Sequence, residues 1–157
     1  MLTCPLSNVM HQQTTVMTPR KTASMHNCKL KLKKLPRHDM LVIMGDLNVK
    51  VGTDNLSYDR AMGKEGCGTM NENGERLAEL CAAYNLVIGG TIFPHRDIHK
   101  LTQCSPNSGD RNQIDHLVIN GTWGRSLLDV NVRREADVGS DHHLVMVYVK
   151  LKLRSTR

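Results

Sequence analysis

Short apolar runs separated by glycine, asparagine and proline predict several strands. Residues 40–44 are an uninterrupted apolar run closed by Gly45, the pattern of a buried strand that ends at a turn. Residues 86–88 form a similar run that is ended by two glycines. The chain therefore predicts strands at residues 40–44, 86–88, 114–119, 130–133 and 143–153, with residues 99–104 as a further candidate.

Only one segment has a clear helical period. Its apolar stripe lies at i, i+3, i+4 and i+7 and consists of Leu77, Leu80, Cys81 and Tyr84. Either Asn71 or Asn73 can cap the start of this helix, and Asn85 can end it in the left-handed conformation. Several strands with one helix predict an α+β fold with a largely antiparallel sheet.

The rest of the chain sets the expected domain boundaries. Residues 1–28 lack sustained periodicity and predict irregular structure, whereas residues 29–35 fit either a strand or a helix that Pro36 ends. Residues 50–70 contain four glycines and predict a long loop, and residues 106–110 predict a turn. We expect a basic, irregular segment at 1–38, one domain at 39–153 and a tail at 154–157.

Composition excludes some classes of protein. The 157 residues are enough for one domain with a core. Five cysteines without a CxxC spacing argue against a disulfide framework or a zinc ribbon, and they fit a reducing compartment. No secretory signal and no membrane-spanning run are visible. We expect a soluble, intracellular protein, nuclear or cytoplasmic, with no membrane partner.

The net charge of +6 is unevenly placed. Residues 1–38 hold seven of the 21 basic residues and none of the 15 acidic ones, so the remaining chain, with 14 basic residues, is at −1. A basic arm can contact phosphates in a salt-sensitive way, although such a segment is also commonly a solvated arm. The charge alone does not assign a function.

Three motifs carry candidate chemistry. Asp46 and Asn48 stand where the 40–44 strand emerges, so their side chains can converge on a cation, a water or a phosphate. Both residue types also simply favour turns. Asp115 enters an apolar strand, and a buried carboxylate there needs a partner such as histidine.

The third motif, Asp141-His142, precedes the last strand and combines an oxygen ligand with an imidazole. A capped turn with exposed histidines would explain the same residues. Taken singly, none of the three motifs separates catalysis from structure.

Together the motifs resemble a known superfamily. The order Gly45-Asp46-Leu47-Asn48, then Ile114-Asp115-His116, then Gly139-Ser140-Asp141-His142 is similar to that of endonuclease/exonuclease/phosphatase domains, including exonuclease III-like nucleases. The segments at 73–77, 85–91 and 111–116 resemble the endonucleases of LINE-type (non-LTR) retrotransposons and the craniofacial development protein 2-like proteins. The resemblance covers about residues 39–151.

The resemblance implies a fold and a mechanism. The fold would be the C-terminal half of a four-layer αββα sandwich. Asp115 would orient His142 as general acid/base, Asp46 would activate water or serve the departing oxygen, and Asn48 and Asn112 would hold the phosphate. Asp141 would lie at a Mg²⁺ or Mn²⁺ site, and DNA would be the substrate.

This chain departs from the family pattern in its first part. Residues 1–38 contain no Asp or Glu and therefore cannot supply the acidic metal ligand that the first half of such domains carries. At Gln103, related retrotransposon endonucleases commonly have an aromatic residue. A lone half would also expose the apolar face of its sheet, through which it could self-associate.

Four hypotheses follow. The first is a nuclease-derived partial domain that is inactive alone. The second is a phosphodiesterase completed by a partner chain or a dimer. The third is a non-catalytic nucleic-acid- or protein-binding module that uses the basic arm. A phosphatase of the same superfamily is a more distant alternative.

Overall fold

The computed structural model describes residues 14–17, 32–33, 39–104, 111–134 and 142–151. Within them the regular elements are, in chain order, β1 (Thr14–Met17), β2 (Met40–Asp46), α1 (Glu72–Tyr84), β3 (Leu86–Ile88), β4 (Gln103–Cys104), β5 (Arg111–Asn112), β6 (Asp115–Asn120), β7 (Leu127–Arg133) and β8 (Leu144–Val149). Short 3₁₀ turns lie at Gly89–Thr91, Asp97–His99 and Gly121–Ser126. The predicted mixture of helix and strand is confirmed.

A four-stranded sheet with the order β1-β2-β6-β3 forms the centre. β1 pairs with β2 in parallel, whereas β6 is antiparallel to both β2 and β3. Asn120 fixes one end of this sheet, because its side chain accepts a hydrogen bond from the Leu41 amide and donates one to the Asp39 carbonyl oxygen. Two smaller antiparallel sheets, β4-β5 and β7-β8, complete the described fold.

β2 and β6 are packed on both faces, which explains why β2 is apolar from Met40 to Met44. Leu41 and Ile43 face the side on which α1 and the 50–70 loop pack. Met40 and Val42 face the opposite side and pack with β7 and β8. The described residues therefore form three layers, with α1 on one face of the central sheet and β7-β8 on the other.

The helix begins and ends where capping chemistry requires. Asn71 is the N-cap, and its side chain accepts a hydrogen bond of 2.8 Å from the Gly74 amide. The same side-chain oxygen accepts from the amide of Lys50, which ties the helix start to the loop after β2. Asn85 takes the left-handed conformation with φ 52° and ends the helix, as predicted.

Some strand predictions need correction. Residues 1–28 were expected to be irregular, yet Thr14–Met17 pairs with Met40–Ile43 as an edge strand. Most of the remaining N-terminal segment lies outside the described residues, so a boundary after residue 38 stays a prediction. The candidate strand at 99–104 is reduced to Gln103–Cys104, because Asp97–His99 forms a 3₁₀ turn.

The expectation of an open central sheet is wrong for the described residues. β7-β8 covers the face that a lone half-domain was expected to expose, so the basis for self-association through that face is lost. Exposed large hydrophobic residues lie instead mainly along the outer hairpin, at Leu128, Leu144, Tyr148, Val149 and Leu151. No helix among the described residues has the length and apolar character needed to cross a membrane.

Close packing of α1 on the loop after β2 generates a stability prediction. Alanine is ordinarily favoured over glycine within a helix by about 1 kcal/mol. At Gly74, however, a β-carbon would collide with the carbonyl oxygen of Lys50. We expect Gly74→Ala to lower the free energy of unfolding by about 1–3 kcal/mol, as overpacking does, measured by urea denaturation.

Gly124→Ala is the matched control for Gly74→Ala. The nearest atom to a β-carbon at Gly124 is a Val87 methyl carbon at 3.9 Å, an ordinary contact. This variant should unfold close to the wild type. A Gly74→Ala protein as stable as the wild type would contradict the described packing of α1.

Candidate functional site

The candidate site lies where β2 ends and β6 begins, here called the β2–β6 junction. Asp46 is the last residue of β2 and Asp115 is the first residue of β6. The two are register partners in the antiparallel pair, so their Cα atoms are about 4.5–5.5 Å apart. The first and second sequence motifs therefore meet at one place.

Asp115 points to the β7-β8 side of the central sheet. Side chains alternate along a strand, and Leu117 and Ile119, two and four residues on, pack in the cluster that contains β7 and β8. His142 lies just before β8 on that side. The alternation therefore directs the carboxylate of Asp115 toward the third motif.

Asp115 and His142 form a hydrogen-bonded pair. The Oδ2 atom of Asp115 lies 2.9 Å from Nδ1 of His142, and both side chains are partly buried, at 16% and 27% exposure. Because a carboxylate only accepts, the imidazole donates its Nδ1–H. This contact fixes the ring orientation and the tautomer in which Nε2 carries the lone pair.

Thr102 holds this pair in position. Its side chain is almost fully buried, and its Oγ1 accepts hydrogen bonds of 3.0 Å from the backbone amides of both Ile114 and Asp115. Its carbonyl oxygen accepts a 2.7 Å bond from the amide of His143. Thr102 thus joins the start of β6 to the residue that follows His142.

A neighbouring backbone contact supports the same arrangement. Gln103, the first residue of β4, forms an antiparallel bridge with His142. The position at which related endonucleases commonly have an aromatic residue is therefore directly beside the catalytic histidine candidate. The position of Gln103 beside His142 could not be inferred from the sequence, because these two segments are distant along the chain and only the fold brings them together.

Asp46 and Asn48 form a local turn at the junction. The backbone amide of Asn48 donates a 3.0 Å hydrogen bond to Oδ1 of Asp46, and Asn48 has a positive φ of 52°. Leu47 continues the pairing through a bond to the Ile114 carbonyl oxygen. This turn leaves Asn48 exposed beside Asp46.

His116 is structural. It is fully buried, and its Nε2–H donates a 2.7 Å bond to the Val49 carbonyl oxygen. Burial lowers the pKa of His116 below its ordinary value despite that bond. The neutral ring therefore anchors the loop after Asn48 to β6, on the face opposite to Asp115.

Of the two remaining predicted site residues, Asn112 lies among the described residues and Asp141 does not. Asn112 lies in β5, and its carbonyl oxygen accepts a hydrogen bond from the Thr102 amide. Asn112 also lines a cavity of about 460 Å³ next to the junction. Asp141 lies outside the described residues, so its predicted position at a metal site stays a prediction.

The described residues do not by themselves form a metal centre. No group of three His, Cys, Asp or Glu side chains among them is placed to hold an ion. Asp115 is engaged by His142, and Asp46 accepts from the Asn48 amide.

Comparison with known proteins finds relatives in which one segment is similar to most of this chain. No protein-family model matches the chain. Craniofacial development protein 2 from Bos taurus and its counterpart from Tragulus javanicus are each 37% identical to it over 123 residues, which cover 78% of this chain. The match spans 20% and 21% of the two relatives, so the chain corresponds to about a fifth of their length.

Solved nuclease structures share the fold. The endonuclease domain of TRAS1, a telomere-specific non-LTR retrotransposon, matches with a TM-score of 0.54 at 15% identity, covering 88% of this chain and 56% of that one. The Xenopus laevis APE2 catalytic domain matches at 0.58 and 18%, covering 87% and 49%. A 3'-5' exonuclease from Neisseria meningitidis matches at 0.53 and 18%, covering 78% and 50%.

The resemblance inferred from the motifs is therefore confirmed. The chain is a relative of a segment of Craniofacial development protein 2, and it has the fold of endonuclease and exonuclease domains. It covers about half of each of these nuclease structures.

The contacts of Thr102 generate a prediction with a matched control. Thr102→Val keeps the shape of the side chain but removes the acceptor for the buried Ile114 amide and the partly buried Asp115 amide. A buried amide left unpaired costs about 1–3 kcal/mol. We expect urea denaturation to show a loss of at least about 1 kcal/mol, and NMR to show a shifted Asp115 amide.

Thr102→Ser retains the hydroxyl oxygen and loses only a methyl group. It should keep the wild-type Asp115 amide shift and lose less stability than Thr102→Val. Equal damage from the serine and valine substitutions would mean that the methyl contact, and not the hydroxyl acceptor, positions the junction.

Proposed function

We propose that this chain carries one half of the active site of a phosphodiester hydrolase that acts on DNA, and that the 157 residues alone do not cleave. The proposal rests above all on the Asp115–His142 pair at the same strand junction as Asp46. A purely structural ion pair between Asp115 and His142 would not require Asp46 as the register partner of Asp115. It would also not require the exposed Asn48 two residues after Asp46.

In this proposal His142 is the acid/base group. With Nδ1–H donated to Asp115, Nε2 is the ring atom that would accept a proton from water or, once protonated, donate one to a phosphoryl oxygen. The partial burial of the pair favours this role, because a fixed imidazole loses little freedom on reaching the transition state. Asp115 is a positioning residue that acts through His142.

Asp46 and Asn48 complete the half-site. The carboxylate of Asp46 would orient the attacking water or serve the departing oxygen, and the exposed amide of Asn48 would hydrogen-bond a phosphate oxygen. The turn between them supports this division, because it keeps both side chains at the end of β2.

Mg²⁺ or Mn²⁺ would supply charge neutralisation at the phosphoryl oxygens once a complete ligand set exists. Asp141 would join that set, but the acidic ligand of a first half is not found in residues 1–38. We therefore propose that activity requires complementary structure from outside these 157 residues. In the same proposal, the three described layers are the C-terminal half of a four-layer αββα sandwich.

DNA is the substrate class best supported within the superfamily. The TRAS1 match is an endonuclease domain, and the segments at 73–77, 85–91 and 111–116 resemble retrotransposon endonucleases. A phosphatase would use the same Asp46 and His142, so it stays the more distant alternative. Nucleic-acid or protein binding through the basic residues of 1–38 is a non-catalytic alternative, which a cleavage assay distinguishes from hydrolysis.

The test is a nicking assay on supercoiled and abasic-site DNA with Mg²⁺ or Mn²⁺. The purified 157-residue chain should cleave no faster than His142→Ala. If the chain is fused behind a nuclease first half and nicking appears, Asp115→Asn should reduce the rate by about 100-fold or more, as expected for loss of acid/base positioning.

The outcomes separate the parts of the proposal. Cleavage by the 157 residues that disappears in His142→Ala would overturn the proposed lack of independent activity and leave the site assignment standing. Cleavage that is unaffected by both His142→Ala and Asp115→Asn would overturn the site assignment itself.

A further inference from the structure

A cavity with several polar lining residues lies next to the β2–β6 junction, between the 50–70 loop and β5. Its volume is about 460 Å³, which lies in the range of about 300–1,000 Å³ that is usual for ligand pockets. Its polar lining residues include Lys50, Thr53, Thr69, Asp97, Arg111 and Asn112. Most of these residues have no role in the half-site described above.

The cavity walls are held in place by specific contacts. The buried side chain of Gln113 accepts a hydrogen bond from the Cys67 amide and donates one to the Gly90 carbonyl oxygen, which fastens the loop to the strand. A β-carbon on Gly66 would collide with the carbonyl oxygen of Gly52, so two backbone segments meet without intervening side chains. The cavity is therefore preformed.

The chemistry of the walls favours an anion. Among the described lining residues, two are cationic, Lys50 and Arg111, one is acidic, Asp97, and the hydroxyls of Thr53 and Thr69 add donors. None of these described lining residues is aromatic, so they offer a base no stacking partner. Such a surface suits the phosphate and sugar of a nucleic acid and not its bases.

The cavity is close to the junction along the chain. Lys50 follows Asn48 by two residues, and Asn112 precedes Asp115 by three. Because three residues span at most about 11 Å, these two lining residues lie near the ends of β2 and β6. A nucleic-acid backbone bound at the junction would therefore pass close to the cavity.

We propose that the cavity between Lys50 and Arg111 binds a backbone phosphate of the DNA strand flanking the scissile bond, without reading its sequence. This inference rests on the proposed function, because it assumes that DNA occupies the junction. It adds a binding site that lies beside the acid/base pair and acts through charge.

The test measures binding, so it does not depend on cleavage. The affinity of the full 157-residue chain for a labelled single-stranded oligonucleotide is followed by fluorescence anisotropy over a series of salt concentrations. Lys50→Gln and Arg111→Gln should each weaken binding about tenfold at low salt, the loss of one charge-assisted contact. Each should also reduce the slope of log K against log salt by about 0.7–1.

The control is Arg60→Gln, which removes one positive charge from an exposed position in the same loop that does not line the cavity. It should change both affinity and slope much less than the two cavity variants. Thermal melts of all variants confirm that the fold is retained. Because residues 1–38 stay present in every protein, their contribution cancels in these comparisons.

The outcomes are distinguishable. Wild-type binding with equal losses in Arg60→Gln and the cavity variants would overturn the cavity assignment while leaving the proposed function intact. Losses that occur with only one oligonucleotide sequence would overturn binding through the backbone. No binding of DNA by the wild type would count against DNA as the substrate of the junction and against the cavity together.

Discussion

The antiparallel register between β2 and β6 is the constraint on which the rest of the arrangement depends. It makes Asp46 and Asp115 direct partners and places His116 opposite Gly45. A slip of one residue would turn every side chain of β6 to the other face, exchanging Asp115 with His116 and separating Asp115 from His142. Burial of both sheet faces, together with the bond from His116 to Val49, selects the observed register.

This constraint explains how one strand serves two purposes. The face of β6 toward α1 carries Val118 and the neutral His116, which stabilise the fold. The other face begins with Asp115, continues into the apolar cluster beneath β7-β8, and meets His142. Residues that stabilise the fold and the candidate catalytic residue Asp115 therefore lie on opposite faces of the same strand. Thr102 holds the start of this strand by accepting hydrogen bonds from the amides of Ile114 and Asp115.

Much of the fold and of the candidate site could be predicted from short stretches of the sequence. Apolar periodicity and capping asparagines predicted β2, β3 and α1, and motif order pointed to Asp46, Asp115 and His142. Contacts between distant segments gave no such signal. β1 was missed because its sequence is not strongly apolar and its order comes from pairing with β2. Thr102 was missed because nothing in the sequence distinguishes a threonine whose hydroxyl accepts hydrogen bonds from two backbone amides from any other threonine.

The central claim, that Asp115 fixes the tautomer and orientation of His142, is tested most directly by ¹⁵N NMR of the histidine side chains. In the wild type, the neutral imidazole of His142 should carry its proton on Nδ1 and not on Nε2, and Asp115→Asn should change its resonances while leaving those of buried His116 in place. A His142 ring with its proton on Nε2, or one whose resonances are indifferent to Asp115→Asn, would contradict the account.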